Sequence, residues 1–236
     1  MRTHYYFGWF NDTMPKEIGM LLNEDLSSKA SLVMICTTPS EYESNDQMSK
    51  WVRESWFDFA GVTFNDYHVI DDRVTKDEAQ TLLRNASAIF LHGGYPDRLN
   101  CFLEEYELSE AVKVSKATVV MGASAGGMNM CAKFIYGKYI DDEHREPGRL
   151  YNGLGLDDFA LQSHAPLGDV ESVAQNEHAR KYLIPLSESI DVYVACEEST
   201  IRIKNDKLDV LGEVYLIANG EIQKMPETDF SKLTSN

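Results

Sequence analysis

The stretch Val119-Val120-Met121-Gly122-Ala123-Ser124-Ala125-Gly126-Gly127 passes from an apolar run, through G-x-S-x-G, into a helix start. A strand, a sharp turn and a helix in that order form a nucleophile elbow. The serine of such a turn takes a strained backbone conformation, so the residues two before and two after it must be nearly free of side chain. Gly122 and Gly126 meet that demand. Ser124 is thereby pushed out at the sheet edge, with the unpaired N–H of Ala125 and the positive end of the following helix beside it. The five-residue motif also occurs by chance as a tight turn. The strand before it and the helix after it give this instance its weight.

Outward from the elbow, short strand-like blocks at His4–Phe10, Ser31–Cys36, Tyr67–Ile70, Ala88–Leu91 and Thr118–Met121 alternate with helix patterns at Pro15–Asn23, Asp46–Phe59, Lys76–Arg84 and Asp97–Val114. Alternation of this kind predicts right-handed crossovers, hence an α/β three-layer sandwich with a mostly parallel central sheet and helices on both faces. Beyond about residue 155 the pattern changes. Phe159–His164, Ile190–Cys196, Thr200–Lys204 and Val210–Ala218 read as strands and only Val170–Tyr182 as a helix, so an antiparallel C-terminal extension is expected. Asn205-Asp206 and Asn219-Gly220 are hairpin turn signals, and the polar tail Phe230–Asn236 reads as frayed.

The 236 residues fit one large α/β domain, and no repeat, linker or low-complexity tract divides them, so residues 1–236 are read as a single domain. With 43% hydrophobic and 25% charged residues the chain has enough apolar material to fold. A formal net charge of −16 repels phosphate backbones and anionic lipid, which argues against nucleic-acid and membrane partners. No apolar run reaches membrane-helix length and the amino terminus lacks a secretory pattern, so a soluble, cytoplasmic protein is expected. Cys36, Cys101, Cys131 and Cys196 are too scattered for a disulfide framework or a zinc knuckle and read as reduced thiols. Trp9, Trp51 and Trp56 are assigned to the core.

A serine nucleophile needs a base, and six histidines are available. His4 and His68 fall at strand beginnings, away from the edge where ligands bind, and His178 falls on a polar helix face. His144 lies in the charged loop Asp141–Gly148, while His92, before Gly93-Gly94, borders the carboxyl end of a strand. His164 ends the strand-like run Phe159–Ser163 and precedes Ala165-Pro166, where an active-site loop should begin, and is the base of choice. Its orienting acid is sought at Glu197 or Glu198, adjacent residues that point to opposite faces. Asp141, Asp142, Asp157 and Asp158 compete. The order serine, histidine, acid differs from that of an α/β-hydrolase, whose histidine comes last.

These segments resemble the serine peptidases that include aspartyl dipeptidase (peptidase E) and cyanophycinase, relatives of the class I glutamine amidotransferase fold. Ala88–Leu91 leading to Gly93-Gly94 is similar to the family's glycine-rich loop, and Gly122–Gly127 to its serine elbow. Gly153–Leu156 followed by Gln162-Ser163-His164 resembles the histidine segment, and Val194–Glu198 the glutamate strand. The resemblance implies Ser124 as nucleophile, His164 as general base and Glu198 as orienting acid, with N–H groups of Gly93 or Gly94 and of Ala125 forming the oxyanion hole. It also implies a hydrolase for short peptides or related amides, working through an acyl-serine without metal or organic cofactor.

One departure concerns the substrate. The family loop usually reads three glycines followed by Asn-Thr, whereas here it is His92-Gly93-Gly94-Tyr95-Pro96. An aromatic ring replaces a polar contact, so Tyr95 joins the substrate-binding candidates together with Arg98 and Arg149. Arg145 and Arg180 are further guanidiniums for a substrate carboxylate. The expected partners are a short peptide or amide and a second copy of the chain in a homodimer. The competing readings are a non-catalytic member of the same fold that binds a small peptide or amide, and a serine esterase.

Overall fold

A computed structural model of the chain describes residues 2–136, 148–164 and 169–230. His144, Arg145, Asp141 and Asp142, and the tail from 231 onward, lie outside the described residues. The first half of the chain builds β1 (Thr3–Phe7), α1 (Lys16–Asp25), β2 (Ser31–Ile35), α2 (Tyr42–Trp51), β3 (Asp66–Ile70), α3 (Lys76–Asn85) and β4 (Ala88–Leu91). Then come α4 (Pro96–Glu105), α5 (Leu108–Lys113), β5 (Val119–Ala123) and α6 (Ala125–Met130). Strands β3, β2, β4, β5 and β1 pair in parallel in that order, the sheet predicted from the alternation.

Both faces of this sheet are covered, which is why its strands read as unbroken apolar runs. Tyr5, Phe7, Leu32, Met34, Phe90 and Met121 point to one side, where α1 and the chain after α2 supply Leu21, Leu22, Trp56 and Phe57. Tyr6, Val33, Ile35, Ile89, Leu91 and Val120 point to the other, against α3, α4, α5 and α6. Trp56 is fully buried. Trp9 and Trp51 pack edge-on against it at ring separations of 5.0 and 5.6 Å, but both are only half-buried, so of the three tryptophans assigned to the core Trp56 alone is a core residue.

Several elements differ from the sequence pattern. The helix expected over Asp46–Phe59 starts earlier, as α2, and continues as a π-helical segment over Val52–Asp58. The one expected over Asp97–Val114 is two helices, α4 and α5, because Glu107 adopts a left-handed conformation at φ 50° between them. After α6 the chain enters β6 (Cys131–Tyr136) and then β7 (Arg149–Asn152), neither of which was expected.

These strands belong to a second sheet. With β8 (Asp157–Ser163), β9 (Val192–Ala195), β12 (Val214–Ala218) and β13 (Glu221–Lys224) they form a six-stranded sheet in the order β13-β12-β9-β8-β6-β7. Here β6, β8 and β9 are parallel. Antiparallel pairing in the C-terminal third belongs instead to β12 and β13 and to the hairpin of β10 (Thr200–Lys204) and β11 (Lys207–Leu211), which extends the first sheet beside β1. Both hairpins turn at the predicted dipeptides. Asn205-Asp206 and Asn219-Gly220 all have positive φ, as a two-residue turn between right-twisted strands requires.

Candidate active site

Ser124 lies between β5 and α6 at φ 51° and ψ −114°, a conformation that a residue bearing a Cβ holds only when its surroundings enforce it. Its N–H donates to the Phe7 carbonyl at 3.0 Å, and its own carbonyl accepts from the Met128 N–H at 3.0 Å. The glycines flanking it are steric necessities. A Cβ at Gly126 would overlap the Leu91 carbonyl oxygen, and one at Gly122 would lie 2.5 Å from the Gly126 carbonyl carbon. The close seating of α6 on β4 and β5 therefore forces the strain onto the serine.

His164 comes from the other sheet. It follows β8 at φ 58°, and the Ser163 hydroxyl beside it donates to the Ser124 carbonyl at 3.4 Å. Ser124 and His164 line one cavity of about 490 Å³. The site thus straddles two sheets rather than the rim of one. Trp9 packs near the imidazole with ring centroids 6.1 Å apart, and burial pushes the His164 pKa below its ordinary value, an effect that the nearby Glu197 carboxylate opposes.

Of the two adjacent glutamates, Glu197 faces the base: its Oε1 is 3.7 Å from His164 Nδ1, an ion-pair distance rather than a direct hydrogen bond. Glu198, the acid implied by resemblance, is engaged by the chain after β1. Its backbone is left-handed at φ 59°, its N–H donates to the Trp9 carbonyl at 2.7 Å, and its Oε1 accepts from the Asn11 N–H at 2.9 Å. The Asn11 side-chain amide meanwhile donates to Glu197 Oε2 at 2.9 Å, so the loop after β1 gathers both carboxylates.

The loop after β4 reaches the serine from the opposite side. A Cβ at Gly93 would lie 3.4 Å from the Ser124 Cβ, and Gly94 adopts φ 132°, open to glycine alone. The Thr37 hydroxyl donates to the Gly93 carbonyl at 3.0 Å. Because a trans peptide sets its C=O and N–H in opposite directions, this bond turns the Gly94 N–H away from Thr37. Among the described residues that N–H has no hydrogen-bond partner. Ala125 opens α6, where a first-turn N–H has no partner within the helix.

The other candidates separate. Tyr95 lines the cavity. Arg98 does not; it stacks on the Tyr95 ring at 4.4 Å and lies 3.7 Å from Glu41. Arg149 sits on the exposed β7 with its guanidinium 5.0 Å from the Tyr151 ring, also outside the cavity lining. His92 is buried, with Nε2 3.2 Å from the Ser49 hydroxyl, and its pKa is pushed down to about 4 by burial. Asp157 pairs with His4 Nδ1 at 2.7 Å and accepts from the Tyr6 hydroxyl, which removes it as a partner for His164. His178 is not on a solvated face as expected. It is half-buried, and its Nε2 meets Oε1 of the cavity-lining Gln162 at 3.1 Å. The sequence assigned Trp9 only to the core, named Gln162 only as part of the histidine segment and did not single out Thr37, since each reaches the site through a position that only the tertiary fold brings to the serine.

Two solved structures share the architecture. A peptidase from an acI-B1 Actinobacterium superposes with a TM-score of 0.71 at 16% identity, over 97% of this chain and 96% of that one. A putative peptidase E protein from Listeria monocytogenes EGD-e superposes with a TM-score of 0.63 at 17% identity, over 89% of this chain and 98% of that one. No curated protein sequence matches the chain. The family model of Peptidase family S51 matches residues 15–211, a span that takes in the elbow, the glycine loop, the histidine and both glutamates. On that match the chain belongs to peptidase family S51, the serine-type peptidases whose fold it shares.

Proposed function

We propose that this peptidase cleaves short peptides or related amides through an acyl intermediate on Ser124. The observation that carries the reading is the strained serine at φ 51° opening onto the same cavity as His164. His164, whose pKa its partial burial lowers, accepts the Ser124 proton as the hydroxyl adds to the substrate carbonyl. The developing oxyanion is received by the N–H groups of Gly94, with Gly93 beside it, and Ala125. The imidazolium, stabilised by the Glu197 carboxylate, then protonates the departing amine, and water repeats the sequence in reverse.

A fluorophosphonate probe tests the nucleophile. Stoichiometric labelling of the folded protein that disappears in Ser124→Ala, together with loss of dipeptide cleavage by about a thousandfold or more, is the expected result. Unlabelled, correctly folded protein would favour a peptide-binding role, and cleavage of simple esters with every peptide left intact would favour an esterase.

A further inference from the structure

The ring of Trp9 meets two parts of the site at once. Trp9 follows β1 and is half-buried, with its indole edge-on to Trp56 at 5.0 Å and nearly parallel to Trp51 at 5.8 Å. Trp56 packs in turn on Phe7, Phe10 and Phe90, so the indole is seated on the core of the first sheet. From that seat it reaches the glycine loop: a Cβ at Gly93 would lie 2.7 Å from Cζ3 of Trp9 and 3.4 Å from the Ser124 Cβ. The His164 imidazole, from the second sheet, lies 6.1 Å from the indole at a tilt of 42°.

The main chain of the same segment holds a third part. The Gly8 N–H donates to the Ser199 carbonyl at 2.9 Å, and the Trp9 carbonyl accepts from the Glu198 N–H at 2.7 Å. Asn11 donates to the carboxylates of both Glu197 and Glu198. Residues 8–11 therefore meet the glycine loop, the base and the turn that carries the acid. Placement of such groups to within about an ångström decides the rate of an acyl transfer. A flat ring with two rotatable bonds is a stiff way to enforce it.

We propose that Trp9 is a positioning residue of this peptidase: its indole, anchored on Trp56, braces both the Gly93 peptide and the His164 imidazole, keeping the oxyanion loop and the base in register with Ser124. The indole also keeps water from part of His164, whose pKa burial lowers while the facing Glu197 carboxylate opposes the shift. Attraction of the imidazolium to the ring face needs an approach within about 6 Å, and at 6.1 Å with a tilt the exclusion of water outweighs it. The proposal rests on the serine-peptidase reading for its effect on rate, whereas the titration of His164 is measurable without turnover.

The test uses the full chain and a fluorophosphonate, with the inactivation rate constant and the probe's apparent affinity measured separately across pH. Trp9→Ala keeps the main-chain bonds and, once shown to be folded by circular dichroism, should be inactivated about a hundredfold more slowly with affinity within about threefold of the original. Its acid limb should move to higher pH, since losing the indole hydrates His164, the direction opposite to loss of the Glu197 charge. Trp9→Phe, which retains a ring, should recover the rate to within about tenfold and return the limb to its place. Gly93→Ala should slow the original chain more than it slows Trp9→Ala, because its methyl group meets the indole. Should Trp9→Ala not fold, Trp9→Leu takes its place in each measurement. An unmoved limb with Trp9→Phe as slow as Trp9→Ala, or strictly additive losses with Gly93→Ala, would reduce Trp9 to core packing and overturn the proposal while leaving the serine peptidase intact. If the original chain incorporates no probe and cleaves no peptide, the catalytic reading fails instead. Nuclear magnetic resonance titration of His164, assigned by its absence in His164→Gln, then decides the contact: a higher pKa in Trp9→Ala supports it and an unchanged one overturns it.

Discussion

Neighbouring carboxylates with the same chemistry reach different partners here because the chain changes conformation between them. Glu197, in the turn after β9, meets His164 Nδ1 at 3.7 Å, while Glu198, left-handed in the same turn, places its carboxylate on the Asn11 N–H. A negative charge near Nδ1 favours the imidazolium, so its removal lowers the His164 pKa further below the ordinary value of about 6.5. Glu197→Gln should therefore move the acid limb of kcat/KM to lower pH and reduce kcat by about a hundredfold or more, the scale of general acid–base catalysis. Glu198→Gln should leave that limb in place, with a loss in rate arising from a looser Asn11 loop. Measured pH–rate profiles of the two variants separate the acid read from geometry from the acid read from resemblance. His92 gives a second pH effect, on stability. Its folded pKa of about 4 lies below the unfolded value, so the unfolded chain binds the extra proton between about pH 6.5 and 4. Stability is full above that window and falls as pH drops through it, by on the order of 3 kcal/mol. His92→Gln should flatten urea-midpoint curves across those pH values.

Elements were legible where local chemistry dictated them. The elbow followed from glycine spacing, and the hairpins from Asn205-Asp206 and Asn219-Gly220, since few other residues accept positive φ twice in succession. The break at Glu107 has no such marker: a glutamate at φ 50° is imposed by packing of α4 and α5, and neither glycine nor proline announces it. Strand β6 was hidden for another reason. It starts at Cys131, directly after the last residue of α6, so apolar residues of helical and strand period run together through Met128-Asn129-Met130-Cys131. The interlock of α6 with β4 can be tested at Gly126. A methyl group there meets the Leu91 carbonyl, and overpacking against backbone is relieved only by moving the helix away from the sheet. Gly126→Ala should cost about 1–3 kcal/mol in chemical denaturation and remove fluorophosphonate labelling, because the strain on Ser124 depends on that contact.

At the level of the molecule the decisive arrangement is two sheets meeting, and only one of them was visible in the sequence. Parallel β8 and β9 read as members of an antiparallel extension because strand direction in that third of the chain is set by long connections, which local pattern does not encode. The serine comes from the first sheet and the histidine from the second, so catalysis depends on the join between them. Part of that join is polar: Asp157 of β8 receives His4 Nδ1 at 2.7 Å and the Tyr6 hydroxyl, both from β1. His4 Nε2 is buried without a partner among the described residues, so its attachment to β8 rests on the Asp157 side. Replacing Asp157 by Ala leaves a buried phenol and a half-buried imidazole unpaired, a loss of about 2 kcal/mol that a lowered urea midpoint would register. A sheet-to-sheet displacement of even an ångström costs up to about a hundredfold in rate, so kcat should fall in Asp157→Ala. The acid limb of the pH profile should stay where it is, since Asp157 does not face His164. A shift of that limb would instead make Asp157 an electrostatic partner of the base and refute its role as a tie between the sheets.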